Sequence, residues 1–372
     1  MYRDRIRLSS LHSKVMSAAD AAGLIEDGMT VGMSGFTRAG EAKAVPHALA
    51  ERAKLSPLKI SLMTGASLGN DLDKQLTEAG VLARRMPFQV DSTLRKAIND
   101  GKVMFIDQHL SETVEQLRNQ QLKLPDIAVI EAVAITEQGH IVPTTSVGNS
   151  ASFAIFAKQV IVEINLSHNP NLEGLHDIYI PTYRPTRTPI PLVKVDDRIG
   201  STAIPIPPEK IAAIVITNQP DSYSTVTPPD EETQAIANHL VEFFKSEVEA
   251  GRMAKNLGPM QVGIGNIANA VMCGLIDSPF EDLVMYSEVL QDCTFELIDA
   301  ATQRIPGVLQ HGQAHQGLNA AHVDAASLLG VLVVQRQVGQ DLQGRVWQRR
   351  VHHDLLRSAM VSWATHSLPM TG

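Results

Sequence analysis

The sequence predicts an α/β protein built from two open α/β domains with mainly parallel sheets. Short apolar runs alternate with helical segments between residues 30 and 217, the pattern of consecutive βαβ units. Turns rich in Gly, Ser and Thr follow several of these runs, which is typical of the edge where parallel strands end. A second strand–turn–helix–strand unit starts near residue 260, beyond a long helix. These observations predict one complete domain and the beginning of another.

The first domain is predicted to span residues 1–225. Its first helix, 17–27, starts at Ser17 and has Asp20 three residues later, the spacing of a capping box. Further helices are predicted at 46–54, 71–85, 111–119 and 151–158. Apolar runs typical of buried parallel strands lie at 30–33, 58–63, 103–107, 127–135, 160–164 and 210–217.

Three small-residue turns follow strands of this domain, at 34–40, 64–69 and 144–150. We expect them to lie on one edge of the sheet and to line a cleft, because open α/β sheets bind ligands at the carboxyl ends of their strands. Taken alone, each turn is more simply explained by the tight strand-to-helix connections that Gly and Ser favour.

A proline-rich excursion and a linker separate this domain from the next. Residues 168–209 hold eight prolines, so only short edge strands are predicted there. Residues 221–229, DSYSTVTPP, are predicted to form the linker. A long helix then runs from its cap, Asp230, to about Ala250. Its apolar face is predicted to consist of Ile236, Leu240, Phe243 and Val248.

Composition narrows the class of protein. The net charge of −8 argues against a nucleic-acid partner, since phosphate backbones are bound by basic surfaces. No run of about 18 apolar residues is present, and the N-terminus lacks the apolar core of a signal peptide. We therefore expect no membrane partner. The two cysteines, Cys273 and Cys293, are predicted to be core thiols in a reducing compartment, which predicts a cytoplasmic protein.

The stretch from residue 260 to residue 292 holds the strongest candidate site. An apolar run at 261–264 leads into a glycine turn and a helix, and a second apolar run, 283–286, is followed by Glu288. Both the turn and Glu288 are therefore predicted at carboxyl ends of neighbouring strands. A carboxylate beside a turn of free backbone N–H groups could perform covalent acyl chemistry.

Two interpretations of this turn are equally supported by its residues alone. Residues 263–268 fit the G-x-G-x-x-A pattern of a dinucleotide site, which predicts a nicotinamide-dependent oxidoreductase. The same N–H groups and helix N-terminus could instead hold CoA or an oxyanion. Glu288 also has rivals, because Glu131 and Glu163 lie inside apolar runs and spacing does not choose among the three.

The string Y-S-E-V-L-Q at 286–291, after G-I-G-N-I-A-N-A-V at 263–271, resembles the acetyl-CoA hydrolase/transferase family of class I CoA-transferases. The resemblance extends over about residues 15–300 and implies a fold of the NagB/RpiA-like type in both domains. It implies transfer of CoA from a short-chain acyl-CoA, such as acetyl-CoA, to a carboxylate acceptor or to water. The implied partners are the acyl-CoA and a small carboxylate. It also implies a homodimer, with CoA as a substrate and neither a metal nor a bound cofactor.

The resemblance assigns roles to particular residues. Glu288 matches the family's nucleophile, which attacks the acyl-CoA and then carries CoA as a thioester. The turn expected to hold CoA or the oxyanion consists of Gly263, Gly265 and Asn266. The residues expected to hold the small carboxylate are Ser67, Gly35 and Phe36.

Two positions depart from relatives that use succinate. Val90 falls where some of them carry Thr, and Ser222 falls where some carry an arginine for the distal carboxylate. These departures predict acetate, another short monocarboxylate, or water as the acceptor, rather than a dicarboxylate.

Residues 301–372 form an atypical tail. They contain no Lys, Glu, Phe or Tyr but hold both tryptophans and six of the thirteen histidines. The family's second domain normally continues with further strands and a glycine loop, so the domain that starts at residue 226 is predicted to be truncated near residue 300. We expect that the tail is read out of frame or joined to unrelated sequence. The alternative is a divergent domain of biased composition, and truncation would make an inactive, folded remnant a possible outcome.

Overall fold

The computed structural model describes residues 2–36, 39–66, 72–182, 185–186, 188–193, 198–221, 228–263, 265–285 and 296–297. They fall into two compact units: the first holds the described residues up to 190 and those of 199–221, and the second holds the described residues of 191–198 and those from 228 onward. The predicted site residues Ser67 and Glu288, as well as Ser222 and the tail 301–372, lie outside the described residues.

The first unit contains six helices and eight strands among its described residues. The helices are α1 Ala18–Gly23, α2 Ala44–Leu55, α3 Leu72–Glu78, α4 Ser92–Asn99, α5 Leu110–Arg118 and α6 Ser150–Phe156. The strands are β1 Thr30–Met33, β2 Ile60–Met63, β3 Leu82–Met86, β4 Met104–Phe105, β5 Ile127–Ile135, β6 Ile141–Pro143, β7 Gln159–Asn165 and β8 Ile211–Thr217.

These strands form one sheet in the order β4-β3-β2-β1-β5-β7-β8. All pairs along this path are parallel, and β6 adds an antiparallel partner to the far end of β5. The predicted α/β class and mainly parallel sheet are therefore confirmed. The order reverses beside β1, where the chain first builds outward to β4 and then returns through β5, so ligands are expected near this switch point.

The core lies on both faces of the sheet. All nine residues of β5 are buried, and successive residues serve opposite faces, as the pleat requires. Ile127 and Val129 belong to the apolar cluster that includes α1 to α4. Ala128 and Ile130 belong to the cluster that includes Phe153 of α6. Two covered faces explain why β5 reads as a continuous apolar run.

The helix predicted at 71–85 is wrong over its second half, because α3 ends at Glu78 and residues 82–86 form β3. The sequence of β3, LARRM, does not show the apolar run of a buried strand, because two arginines interrupt the apolar residues. Arg85 is nevertheless fully buried, and it donates two hydrogen bonds to the carboxylate of Asp73, at 2.8 and 2.9 Å. A bidentate partner thus lets an arginine occupy a core position. The sequence also missed α4 and β6.

Where the structure describes the proline-rich excursion, 168–209, it contains single bridges rather than the predicted short strands. Ile178 pairs with Ser201, and Ile204 pairs with Ile141 at the end of the sheet. Asp177 closes the loop by accepting backbone hydrogen bonds from Ile199 and Gly200, at 3.1 and 2.5 Å. The segment therefore folds back on the first unit through a few specific contacts.

The second unit, as far as it is described, contains α7 Glu231–Glu249, β9 Pro259–Met260, α8 Asn266–Ile276 and β10 Val284–Met285. The predicted cap of α7 is confirmed, since Asp230 and Thr233 form a reciprocal capping box. Its buried face was predicted incorrectly. Ala237 and Val241 are buried and lie closest to Gly274 of α8, whereas Ile236 and Phe243 are exposed.

Two further predictions in this unit are wrong. The parallel partner of β10 is β9, at 259–260, and residues 261–263 have no regular structure, although a strand was predicted at 261–264. Cys273 in α8 is disulfide-bonded rather than a free core thiol.

None of the helices in the described part of the chain combines the length and apolarity needed to cross a bilayer.

Candidate functional site

The three small-residue turns meet at the carboxyl edge of the first unit's sheet, as predicted. Ser34 Oγ accepts a hydrogen bond from the backbone N–H of Asn149 at 2.8 Å, and Ser150 Oγ donates to the carbonyl of Ser34 at 3.1 Å. The amide of Asn149 donates to the carbonyl of Thr64 at 3.0 Å. Residues after β1, after β2 and before α6 are thereby joined in one polar layer.

The close approach of these turns requires glycine. A Cβ on Gly65 would lie 2.7 Å from Ser34 Oγ, and a Cβ on Gly148, whose φ is +47°, would lie 2.7 Å from the carbonyl oxygen of Gly35. Atoms at such distances overlap, so larger residues would force the turns apart. Gly and Ser therefore serve packing here as well as any role in binding.

The turn after β1, defined here as the β1 turn (residues 34–36 and 39–40), contains two residues assigned to the substrate carboxylate. The backbone N–H of Phe36 donates to the carbonyl of Ala39 at 2.9 Å, and the reverse bond is also 2.9 Å. The Phe36 side chain is buried. Its amide is thus already engaged, so a carboxylate bound by Phe36 would have to open this bridge. The role assigned to Gly35 and Phe36 stays a prediction, as does that of Ser67.

Behind the β1 turn lies a buried group of charges that the sequence analysis did not foresee. We call it the Lys43 cluster, and its members are Lys43, Glu131, His168 and Asp221. The ammonium of Lys43 lies 2.5 Å from Glu131 Oε2 and 2.6 Å from Asp221 Oδ1. His168 Nε2 lies 3.4 Å from Glu131 Oε1 and 3.6 Å from Asp221 Oδ2. Asp221, the first residue of the predicted linker 221–229, is only 4% exposed.

The carboxylates of the cluster also accept hydrogen bonds from neutral side chains. Thr144 Oγ1 donates to Glu131 Oε1 at 2.8 Å, and Asn165 Nδ2 donates to Glu131 Oε2 at 3.0 Å. Thr145 Oγ1 donates to Asp221 Oδ2 at 3.1 Å. Such additional donors are what a buried ion pair needs to offset its lost hydration.

Opposing effects set the protonation of the cluster. Burial would lower the pKa of Lys43, but the attraction of Glu131 and Asp221 outweighs it and the pKa is raised. Burial would raise the pKa of Glu131, but the Lys43 charge outweighs it and holds this pKa at about 2. Burial and then the negative charge of Glu131 raise the pKa of Asp221. Asp221 is therefore the carboxylate of the pair that takes up a proton first.

The cluster also has the donor atoms of a metal site, since Glu131, His168 and Asp221 each offer one ligand atom within 4.8 Å of the others. The Lys43 ammonium already bridges the two carboxylates, and it would repel a divalent cation placed beside it. We therefore interpret the group as an ion-pair cluster.

A second buried glutamate, Glu163 of β7, lies opposite Glu131 in the register of the sheet. Its carboxylate accepts three backbone hydrogen bonds at the start of α2, from Lys43 and Ala44 to Oε2 at 2.8 and 3.1 Å and from Val45 to Oε1 at 2.6 Å. Burial raises the pKa of Glu163 in spite of these donors. Glu163 thus caps α2 from across the sheet.

In the second unit, the structure describes the glycine turn but not Glu288. Gly265 has a φ of +131° and precedes α8, whose first residue is Asn266. Such a φ suits glycine, so the turn depends on this residue. Because β9 ends at Met260, the chain does not pass from strand to Gly263 in the direct way that a dinucleotide fingerprint requires.

Comparisons with known proteins decide the family. The model of the acetyl-CoA hydrolase/transferase N-terminal domain matches residues 2–216. This chain belongs to that family. A succinyl-CoA:acetate CoA-transferase of Clostridium kluyveri is 45% identical over 296 residues, which cover 79% of this chain and 55% of that protein. An acetyl-CoA hydrolase of Saccharomyces cerevisiae is 37% identical over 373 residues, which cover 97% of this chain and 66% of that protein.

Solved structures support the fold. RipA from Yersinia pestis matches with a TM-score of 0.57 at 18% identity, over 79% of this chain and 60% of that chain. At this identity the likeness shows the fold alone. The sequence resemblance implied membership of the acetyl-CoA hydrolase/transferase family and an α/β fold of this type. The family and the fold are both confirmed.

The chain spans 55–66% of the length of these two curated relatives. The alignment with the S. cerevisiae protein covers so much of this chain that it includes most of residues 301–372, beyond the end predicted for the resemblance. The alignment with the C. kluyveri protein is shorter by 77 residues (373 minus 296). The out-of-frame origin of the tail stays a hypothesis.

Proposed function

We propose that this protein transfers CoA from a short-chain acyl-CoA, such as acetyl-CoA, to a carboxylate acceptor or to water, with Glu288 as the nucleophile. The observation that carries the proposal is membership of the acetyl-CoA hydrolase/transferase family, together with the string around Glu288 that resembles the family's nucleophile motif.

The engagement of the rival glutamates supports the assignment. Glu131 is tied to Lys43, Thr144 and Asn165, and Glu163 caps the start of α2. A nucleophilic carboxylate must keep a lone pair accessible to the thioester carbonyl. Both rivals are buried and occupied in structural roles, which argues against either of them as the nucleophile.

The proposed reaction proceeds in balanced steps. The Glu288 carboxylate attacks the acyl carbonyl, and the C–S bond breaks. CoA departs as the thiolate, and the acyl group remains on Glu288 as a mixed anhydride. The thiolate then attacks the glutamyl carbonyl, which releases the acyl group as its carboxylate and forms a glutamyl-CoA thioester. An acceptor carboxylate reverses this sequence, or water hydrolyses the thioester to free CoA. Backbone N–H groups of the 263–266 turn would stabilise the oxyanion, a task worth about 2.7–4 kcal/mol per donor.

The acceptor is proposed to be acetate, another short monocarboxylate, or water, held near Ser67 and the β1 turn. Val90, which stands where some succinate-using relatives carry Thr, offers no charge to a distal carboxylate and is 38% exposed. A homodimer is proposed on family resemblance. A cytoplasmic location is part of the proposal. Cell fractionation would decide it.

The test is intact-mass spectrometry of the full chain after incubation with acetyl-CoA, with and without borohydride. A CoA adduct that peptide mapping places on Glu288, and that borohydride converts to the reduced residue, is the expected result. Glu288→Gln should abolish the adduct, whereas Glu281→Gln, which changes an exposed acid nearby, should leave it intact.

An adduct on Glu131 or Glu163, or none on a chain whose circular dichroism shows a folded α/β domain, would overturn the proposal. The second result would favour an inactive remnant. Nicotinamide binding with hydride transfer would instead favour the oxidoreductase, which the separation of β9 from Gly263 makes the weaker alternative.

A further inference from the structure

The segment that leaves the β1 turn is held by groups that come from distant parts of the chain. The backbone N–H of Gly40 donates to Asp221 Oδ2 at 3.3 Å, across 181 residues of sequence. Ser146 Oγ donates to the carbonyl of Ala39 at 2.9 Å. Lys43 Nζ donates to the carbonyl of Glu41, two residues before it in the chain, at 3.0 Å. The β1 turn is thus fixed from its far side.

The same contacts leave little room for movement. Gly40 has a φ of +65°, and a Cβ on it would lie 2.4 Å from Ser146 Oγ. The Asp221 carboxylate joins this glycine to Lys43, because Oδ2 faces Gly40 and Oδ1 faces the ammonium. A shift of Asp221 would therefore be transmitted to the turn through a hydrogen bond and an ion pair together.

Stability alone does not explain the Lys43 cluster. Burying an ammonium and two carboxylates costs hydration that their mutual attraction at best offsets, and well-packed apolar groups often stabilise a core as well or better. What short, directional ion pairs provide is a defined position. Lys43 opens α2, Glu131 lies on β5 and Asp221 follows β8, so the cluster ties three elements to one point.

We propose that Asp221, held by the Lys43 ammonium, is a positioning residue that sets the β1 turn for binding of the small carboxylate. The proposal rests on the proposed function, because the role of the turn does so. Asp221 does not touch the substrate in this scheme, and it acts through the N–H of Gly40. Weakening it should therefore impair use of the carboxylate more than use of the acyl-CoA.

The test has a structural arm that needs no activity. Hydrogen–deuterium exchange of the peptide 34–44 is compared among the wild type, Asp221→Ala and Asp221→Asn. Alanine removes both the charge and the acceptor for Gly40, so exchange should rise about tenfold. Asparagine keeps an acceptor oxygen, so the rise should be about threefold or less. The smaller change also provides a variant that folds if alanine does not.

Asp126→Ala is the matched control. Asp126 is a less deeply buried carboxylate that also accepts a backbone N–H, from Thr30 at 2.9 Å, and pairs with lysines, but it lies at the amino end of β5. It should leave exchange of the 34–44 peptide within twofold of wild type. Equal increases in Asp126→Ala and Asp221→Ala, or no increase in either Asp221 variant, would overturn the proposal.

The kinetic arm measures exchange of labelled acetate into acetyl-CoA, which a glutamyl-CoA route permits even when water is the usual acceptor. Asp221→Ala should raise the KM for acetate five- to tenfold and leave the KM for acetyl-CoA within twofold. Parallel changes in both constants would contradict positioning of the carboxylate. A wild type with no exchange activity would refute the proposed function, and the hydrogen-exchange arm alone would then decide whether Asp221 fixes the turn.

Discussion

Glu131 and Glu163 have different neighbours, and their pKa values shift in opposite directions. The two glutamates occupy paired positions on β5 and β7, and both are fully buried. Glu131 faces the ammonium of Lys43, which lowers its pKa to about 2 against the effect of burial. Glu163 accepts from backbone N–H groups at the start of α2, and burial, with a smaller effect of the negative charge of Glu131, raises its pKa.

The comparison shows that depth in a sheet does not determine the charge of a carboxylate. Three backbone N–H groups satisfy the lone pairs of Glu163, yet they compensate its burial less well than one full positive charge compensates that of Glu131. Glu131 is thus an ion-pair partner, while Glu163 is chiefly a hydrogen-bond acceptor that caps the start of α2.

Replacing Glu131 should have the largest effect. Glu131→Gln leaves the Lys43 ammonium with Asp221 alone, and the loss of one partner from a buried pair costs about 3 kcal/mol of unfolding free energy. Urea unfolding of the full chain, followed by far-UV circular dichroism, measures this loss. A change below about 1 kcal/mol would mean that Lys43 does not need Glu131.

The pH dependence should separate the two glutamates by sign. Since the folded pKa of Glu131 lies below its ordinary value of 4.5, its stabilising effect is complete above that pH and is lost as the pH falls toward 2. The raised pKa of Glu163 has the opposite consequence, because its contribution is complete below 4.5 and is lost as the pH rises through the folded pKa.

The test compares the free energy of unfolding of wild type with that of each glutamine variant. It is measured from pH 3 to pH 7, about the range in which these groups titrate. The difference for Glu131→Gln should shrink on acidification, and the difference for Glu163→Gln should grow. Slopes of the same sign would show that the two carboxylates share one environment.

Replacing Glu163 should cost less than replacing Glu131. In Glu163→Gln one oxygen can still accept from the start of α2, while the new amide meets a backbone donor, so about 1–2 kcal/mol should be lost. Glu51→Gln, an exposed change on α2 itself, is the control and should change stability little. A loss in Glu163→Gln as large as that in Glu131→Gln would reverse the conclusion drawn from their pKa values.

The sequence predicted most of the sheet because strands buried on both faces have continuous apolar sequences. β1, β2, β5, β7 and β8 were all found in this way, and the convergence of the small-residue turns followed from their positions after strands. β3 was missed because Arg85 reads as a surface residue until its partner Asp73 is known. Pairing between distant residues is tertiary information that local patterns do not carry.

The candidate site was predicted less completely than the fold. Glu131 and Glu163 were noted inside apolar runs, and a buried carboxylate of that kind requires a buried partner. That requirement could have directed attention to Lys43, just after the first small-residue turn. It could not have identified Asp221, because its neighbours in sequence are typical of a linker and only the fold brings it to Gly40.

The smallest effect is expected for Asp126, a third carboxylate that extends the comparison to the amino end of β5. Lys123 and Lys158 pair with it at 2.9 and 2.7 Å, but both lysines are largely exposed. Burial opposes ionisation here as well, but the hydrogen bonds from Lys158 and from the backbone of Thr30 outweigh it and lower the pKa of Asp126 to about 2.

Asp126→Asn should therefore cost about 1 kcal/mol at neutral pH, since an asparagine oxygen can still accept from Thr30 and only exposed ion pairs are lost. This difference should disappear as the pH falls from about 4 to about 2. Lys158→Met separates the two contributions, because it removes one exposed partner and keeps the carboxylate. A loss in Lys158→Met equal to that in Asp126→Asn would mean that the lysine charge dominates even at this edge. A much smaller loss would show that Asp126 resembles Glu163, because its main partner would be a backbone N–H group.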